Sequence, residues 1–316
     1  MLNTEINRGG AELAKQTSPS EINVLSLFDG ISCGMVALER AGIPVNKYVA
    51  YEIDESAIKI SNYNYPNIEH CGDVFDADFK QYEGYDLLIG GSPCTFWSIA
   101  GNNRETTPDG MGYKLFMEYA RALREVKPKW FLYENNYSIS DEIRDAITSE
   151  LGVEPVFINS ADFSAQIRKR YYWTNIPIAE WTPCDTVFSD IMDNIDDYEV
   201  KSIGKYSDTI RISRDGSAIR WDTSGKGYYS QANKARLPNQ KFTAVCASRP
   251  DSKSNVWLGG DRYRRSTIEE LEKLQTLPVG YTSCISCKEK RGKGIGNGWT
   301  INVIAHIFKG LYRGEE

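Results

Sequence analysis

From Ile22 onward the chain alternates short, nearly unbroken apolar runs with stretches whose apolar residues recur at helical spacing. Asn23-Val24-Leu25-Ser26-Leu27-Phe28 predicts a strand, which ends in the glycine-containing turn Asp29-Gly30-Ile31-Ser32-Cys33-Gly34. Met35 to Ala41 predicts a helix, and Gly42 suits the left-handed position that closes one. Lys47 to Ile53 predicts a second strand, and Glu55 to about Tyr63 a second helix. Tyr85 to Gly90 is the next strand. Phe116 to Val126 is a helix, and Trp130 to Glu134 is a strand after Pro128. Val156-Phe157-Ile158 and Tyr171-Tyr172-Trp173 predict further strands. Apolar strands separated by helices predict an α/β fold with a mostly parallel sheet covered on both faces. In such sheets, ligands bind where the strands end.

The pattern changes after Pro177. Residues 178 to 240 show few helical periods, many Ser, Gly, Asp and Lys, and the aromatics Trp221, Tyr228 and Tyr229. Helical spacing returns at Ile268 to Leu274 and around Val303 to Phe308, either side of Gly294-Ile295-Gly296-Asn297-Gly298-Trp299. The expected organisation is a flexible polar lead over 1–21 and a main domain over 22–177. A small insert over 178–240 follows, and the C-terminal part over 241–316 rejoins the main domain.

Composition narrows the class. In 316 residues, 41% are hydrophobic and 25% charged, ordinary values for a globular chain. No apolar run approaches the roughly 18 residues needed to span a bilayer, and the first twenty lack a signal-peptide core. Seven cysteines, an odd and scattered set, fit a reducing cytoplasm better than a disulfide framework. Cys284-Ile285-Ser286-Cys287 has no second pair to complete a zinc site, and His70 and His306 are the only histidines, so no metal is expected. The net charge is −6, yet residues 201–250 hold ten Lys or Arg against three Asp. A basic segment on an acidic chain can hold a polyphosphate on one face, or be a solvated surface. Nothing calls for more than a monomer.

Candidate chemistry gathers at strand ends. The glycines of Phe28-Asp29-Gly30-Ile31-Ser32-Cys33-Gly34 let the backbone approach a ligand closely. They do not form the Gly-x-Gly-x-x-Gly of pyrophosphate binders. Glu52 ends the second strand and can accept ribose hydroxyls; Asp73, in Gly72-Asp73-Val74, can accept from an adenine amino group. Together they suggest an adenosine ligand without a pyrophosphate, with a nicotinamide protein or plain helix caps as the alternatives. The fourth strand leads into Gly90-Gly91-Ser92-Pro93-Cys94-Thr95-Phe96-Trp97-Ser98, a defined turn that presents a thiol. Glu134 ends the neighbouring strand in Glu134-Asn135-Asn136. Gln166-Ile167-Arg168-Lys169-Arg170 supplies two guanidiniums suited to a carbonyl or a phosphate.

In this order, Phe28-Asp29-Gly30 with Gly34, Glu52, Asp73, Pro93-Cys94, Glu134-Asn135, Gln166-x-Arg168-x-Arg170 and Gly296-Asn297-Gly298-Trp299 resemble the DNA cytosine-5 methyltransferase family. The resemblance covers nearly all of residues 22–312. It implies a Rossmann-like class I methyltransferase fold with a mixed, mostly parallel sheet and a small target recognition domain in the insert. It also implies S-adenosylmethionine as methyl donor and double-stranded DNA as partner. By that resemblance Cys94, Glu134, Arg168 and Arg170 are catalytic. Phe28, Asp29, Gly30, Ile31, Gly34, Glu52, Ile53, Asp73, Val74, Pro93, Asn297 and Trp299 hold the cofactor. Ser92, Thr95, Trp97, Asn135, Gln166 and Arg236 meet the substrate. The implied reaction adds Cys94 to carbon 6 of a flipped-out cytosine and methylates carbon 5.

The chain leaves the family pattern beside its nucleophile. Thr95 stands where the family has Gln, followed by Phe96-Trp97, and Asn136 replaces a Val. Trp97 is either packing or a base-stacking residue. The departures leave the target context and the form of the methyl donor open. An RNA cytosine-5 methyltransferase would use the same residues. An inactive DNA-binding regulator should have lost the Cys or the Glu, and this chain keeps both.

Overall fold

The computed structural model describes residues 20–98, 104–194, 201–202, 210–212, 218–221, 234–247, 255–259 and 262–312. The lead over 1–19 and the greater part of the basic stretch 201–250 lie outside the described residues.

A seven-stranded sheet forms the centre. Its strands are β1 (Ile22–Leu27), β2 (Val45–Tyr51), β3 (Glu69–His70), β4 (Leu87–Gly90), β5 (Trp130–Asn136), β6 (Val156–Asn159) and β8 (Lys169–Thr174), in the order β3-β2-β1-β4-β5-β8-β6. The five strands from β3 to β5 run parallel, so their carboxyl ends share one edge. β8 runs antiparallel to both β5 and β6, which makes the sheet mixed.

Strand side chains alternate between two faces, so each central strand feeds two cores. Val24, Ile89, Leu132 and Tyr172 join the cluster that holds α1 (Cys33–Ala41), α5 (Ile268–Leu274) and α7 (Ile301–Phe308). Leu25, Leu88, Tyr133 and Trp173 join the other, with α3 (Met111–Val126) and α4 (Asp141–Leu151). The chain is a Rossmann-like α/β fold with helices on both faces. Among the described residues, no helix is long and apolar enough to cross a membrane.

α2 (Glu55–Asn64) follows β2, capped by the Asp54 side chain on the N–H groups of Ser56 and Ala57. Two helices are absent from the sequence expectations. α4 has a legible start: Ser140 accepts from the Ile143 N–H, and Asp141 and Glu142 occupy the first turn. α6 (Lys288–Asn297) has none, because its glycines argue against a helix. Packing overrides propensity there. A Cβ on Gly296 would stand 2.4 Å from the Ala247 backbone nitrogen, and one on Gly294 2.9 Å from the Ile31 side chain.

A second sheet is built from β9 (Lys201–Ser202), β10 (Ile210–Ile212), β11 (Ala218–Trp221), β12 (Lys234–Arg236), β14 (Asn255–Gly259) and β15 (Arg262–Arg265), in the order β10-β11-β12-β14-β15-β9. Between β12 and β14 the chain returns to the main domain. There β13 (Phe242–Thr243) pairs in parallel with β7 (Gln166–Ile167), and Phe242 stacks on Phe188 with centroids 4.5 Å apart. The division expected at residue 240 therefore falls inside the second sheet. β14 and β15 lie beyond it, because β14 completes its pairing with β12 only after that excursion.

The second sheet is tied to α5 by a buried ion pair. Arg264 donates to both Glu270 carboxylate oxygens at 2.6 and 2.8 Å, with side chains 1% and 0% exposed. Glu270 also completes a capping box with Thr267. Glu270→Ala removes the carboxylate that faces a buried guanidinium and is expected to cost roughly 3–5 kcal/mol. Urea unfolding checks this; an unchanged midpoint would show that the pair does not hold the sheet in place.

Candidate active site

The turn after β1 is shaped by backbone in the left-handed region, with φ of 58° at Phe28, 62° at Gly30 and 59° at Ser32. Asp29 braces it by accepting from the hydroxyls of Ser26, Ser32 and Tyr48 at 2.6, 2.5 and 2.7 Å. Burial raises the Asp29 pKa, opposed by those hydroxyls. At the end of β2, Glu52 accepts from the N–H groups of Gly30, Ile53 and Asp54, each at 2.8 Å. A carboxylate has about four acceptor positions, so about one remains for a ligand. Ile53 beside it is 70% exposed, an apolar surface with nothing packed over it.

β4 delivers the thiol. Gly91 must be glycine, since a Cβ would stand 2.8 Å from the Glu134 carbonyl oxygen. That contact brings the Pro93-Cys94 turn against the end of β5. Cys94 is partly exposed. Glu134 is 8% exposed, and both its oxygens are held. Arg170 pairs with one at 2.7 Å, and the Trp299 indole donates to the other at 3.1 Å. Arg170 reaches Glu134 diagonally across β5 and β8, where its own opposite number is Asn136.

These strand ends enclose one cavity of about 350 Å³. Phe28, Gly30, Gly34, Glu52 and Ile53 line one part of it. Pro93, Cys94, Thr95, Glu134 and Arg170 line another, and Asn297 at the end of α6 and Trp299 just after it close it. The residues of this wall fit the S-adenosyl donor that the sequence resemblance implies. The wall offers exposed apolar surface at Ile53 and a partly buried ring at Phe28, a remaining acceptor on Glu52, and a backbone turn without intruding side chains at Gly30.

Other expected site residues have different places. Ile31 and Val74 are buried core residues, and Asp73 caps the Phe75 N–H; none of the three is in the cavity wall. Trp97 is 0% exposed in the core beneath the turn and is packing in this structure, not a base-stacking surface. Gln166, also 0% exposed, spends its amide on Leu274, Gln275 and the Val245 N–H, so here it fixes the framework. Ser92 and Asn135 are buried, but Ser92 borders the cavity and Asn135 does not. Ser92 hydrogen-bonds the Tyr133 hydroxyl, and Asn135 donates to it and to the Ser92 carbonyl, which locks β4 to β5. Arg168 lines the wall, but its guanidinium donates to the carbonyls of Val245, Gly296 and Gly298. It braces the end of α6, and burial with the neighbouring Arg170 lowers its pKa to about 10. Arg236 belongs to β12 of the second sheet and not to the cavity wall.

The sequence reading missed Asp54, Lys290, Lys293 and Gly294, all in the wall. Lys290, Lys293, Gly294 and Asn297 share one helical face, a signal hidden with α6 itself. Lys293 pairs with Asp54 at 2.6 Å, joining α6 to the start of α2. Cys33 also lines the cavity, but burial pushes its thiol up to about 12. Iodoacetamide at pH 8 followed by peptide mass mapping is expected to label Cys94 and to leave Cys33 unmodified. Equal labelling would contradict the closed packing around Cys33.

Residues 22–178 match the C-5 cytosine-specific DNA methylase family. The orphan methyltransferase M.SPRI of Bacillus phage SPR is 38% identical over 117 residues, 36% of this chain and 26% of the relative. The matched stretch thus spans about a quarter of the phage relatives' length, 26% and 23% for two of them. The type II methyltransferase M.FnuDI of Fusobacterium nucleatum is 26% identical over 91% of this chain and 93% of its own. In fold, the Entamoeba histolytica methyltransferase EhMeth superposes with a TM-score of 0.68 at 17% identity, covering 94% of this chain and 99% of the other. With the match over residues 22–178, and relatives that share its length and its fold, the chain belongs to the C-5 cytosine-specific DNA methylase family.

Proposed function

We propose that the chain methylates carbon 5 of a flipped-out cytosine in double-stranded DNA, with S-adenosylmethionine as donor and Cys94 as nucleophile. The observation that carries this reading is the single cavity in which Cys94 and a doubly held Glu134 meet the Glu52–Ile53 end. When bound, the donor supplies an electrophilic methyl group.

Carbon 5 of cytosine is weakly nucleophilic, so the ring must first be activated. The Cys94 thiolate adds to carbon 6, and the electron pair released reaches carbon 5. Glu134 shares a proton with ring nitrogen N3 and stabilises the charge that gathers there. Arg170 and Trp299 keep the carboxylate in place, so little reorganisation is needed as charge develops. After methylation a base removes the carbon 5 proton, and the Cys94–carbon 6 bond breaks to restore the ring and the thiolate. Thr95 and Pro93 shape the wall beside the base, while Gly34, Asn297 and Trp299 shape the donor's side. The basic stretch, with Arg236, would hold phosphates and make affinity fall with salt.

Bisulfite sequencing of total DNA and of tRNA from a host expressing the chain tests the reading. Protected cytosines in one DNA sequence context are expected, against an empty-vector control. Protection confined to tRNA would replace DNA with RNA as the substrate, and protection in neither would defeat the proposal.

A further inference from the structure

The ends of β4 and β5 are bridged by a side chain that the reaction scheme does not use. Arg104 donates from Nε to the Trp97 carbonyl at 3.2 Å and from a terminal nitrogen to the Ser138 carbonyl. The Trp97 carbonyl closes the turn that carries Cys94, and the Ser138 carbonyl lies in the turn that follows β5, the strand that carries Glu134. The N–H groups of Trp97 and Ser98 both donate to the Cys94 carbonyl, at 3.1 and 2.9 Å. Ser138 closes the turn after Glu134, where its N–H and hydroxyl donate to the Asn136 side chain at 3.0 and 2.7 Å.

The Trp97 end of this bridge is immobilised. Its ring is fully buried with Phe116, Tyr119 and Tyr133, and a Cβ on Gly112 would stand 2.6 Å from the indole nitrogen. Glu105, next to Arg104, donates its N–H to the Phe96 carbonyl at 2.8 Å. Its carboxylate accepts from the N–H groups of Met111 and Gly112 at the start of α3. The base of the Cys94 turn is thereby pinned to α3, to the core and to the turn that follows β5.

We propose that Arg104 is a positioning residue that sets the spacing of the Cys94 thiol and the Glu134 carboxylate, with buried Trp97 as its fixed point. This rests on the reading of Cys94 and Glu134 as the reacting pair. A guanidinium fork can serve two carbonyls on different strands at once, whereas an ammonium is a single point of attachment. Loss of the fork acts on the chemical step and not on the donor's end of the cavity, whose wall does not include Arg104.

The test compares Arg104→Lys and Arg104→Ala with the parent protein. Donor affinity is measured by calorimetry, single-turnover methylation with a DNA of known target sequence, and Cys94 alkylation against pH in donor-free protein by peptide mass mapping. Both variants are expected to bind S-adenosylmethionine within about twofold of the parent and to methylate roughly tenfold to a hundredfold more slowly. Both are also expected to shift the pH profile of Cys94 alkylation. The proposal is overturned if either variant methylates at the parent's rate with an unshifted profile, or if lysine restores both. It is also overturned if the loss lies in donor affinity. A parent that methylates neither DNA nor RNA would defeat the proposed function alone. The alkylation profile then decides on Arg104, a shift supporting the bridge and no shift overturning it.

Discussion

Cys94→Ala is expected to lower methyl transfer at least roughly a thousandfold while leaving S-adenosylmethionine binding within about twofold. Without a sulfur there is no addition to carbon 6, and carbon 5 keeps the low reactivity of free cytosine. The change removes one atom from a partly exposed turn whose shape is held by backbone hydrogen bonds to the Cys94 carbonyl, so the fold should persist. Tritiated donor with DNA measures the first quantity, and calorimetry measures the second. Duplexes with 5-fluorocytosine at the target add a direct readout, because fluorine cannot leave as the carbon 5 proton does. The parent should form a protein–DNA adduct stable to denaturing gels, and the alanine variant none. A variant that methylates at the parent's rate would rule out the covalent route and leave the family assignment untouched.

Glu134→Gln is expected to slow the same reaction roughly a hundred- to a thousandfold. The amide keeps the shape of the carboxylate but cannot share a proton with N3 in the same way. It also cannot satisfy both neighbours. Arg170 and the Trp299 indole each donate to one carboxylate oxygen, and an amide offers one oxygen and one NH2. One donor must lose its acceptor in a mostly buried place, at about 1–3 kcal/mol. A lower thermal midpoint should therefore accompany the slower rate, and steady-state kinetics should place the loss in kcat. Full kcat in this variant would remove Glu134 from the mechanism.

The two variants fail for different reasons, which reflects how the site is assembled. Cys94 needs only a defined turn, and Gly90-Gly91-Ser92-Pro93 announces one in the sequence. Glu134 works through contacts from β8 and from the segment after α6, far apart in the chain. Its strand was legible, although β5 runs on to Asn136, but its partners' roles were not. Arg168 and Arg170 are adjacent in the motif and look equivalent there. The fold separates them: Arg170 faces a carboxylate, and Arg168 is consumed by three backbone carbonyls. Trp97 and Gln166 also look like contact residues in a motif. Both are fully buried, Trp97 in the core against α3 and Gln166 in hydrogen bonds to Leu274, Gln275 and Val245.

The sequence by itself determined the alternation of apolar strands and helices, and through it the α/β class and the shared edge where ligands meet. The turn glycines, Glu52, Cys94 and Glu134 were readable because local backbone needs and strand ends are short-range properties. Only the tertiary structure decided what long-range packing controls. α6 forms despite its glycines, because close contact with residues 246–247 and Ile31 leaves no room for side chains. That helix brings Lys290, Lys293 and Asn297 into the cavity wall. The second sheet runs past residue 240 because β14 pairs with β12 only after β13 has returned to β7. Arg104 joins two turns that no spacing in the sequence connects.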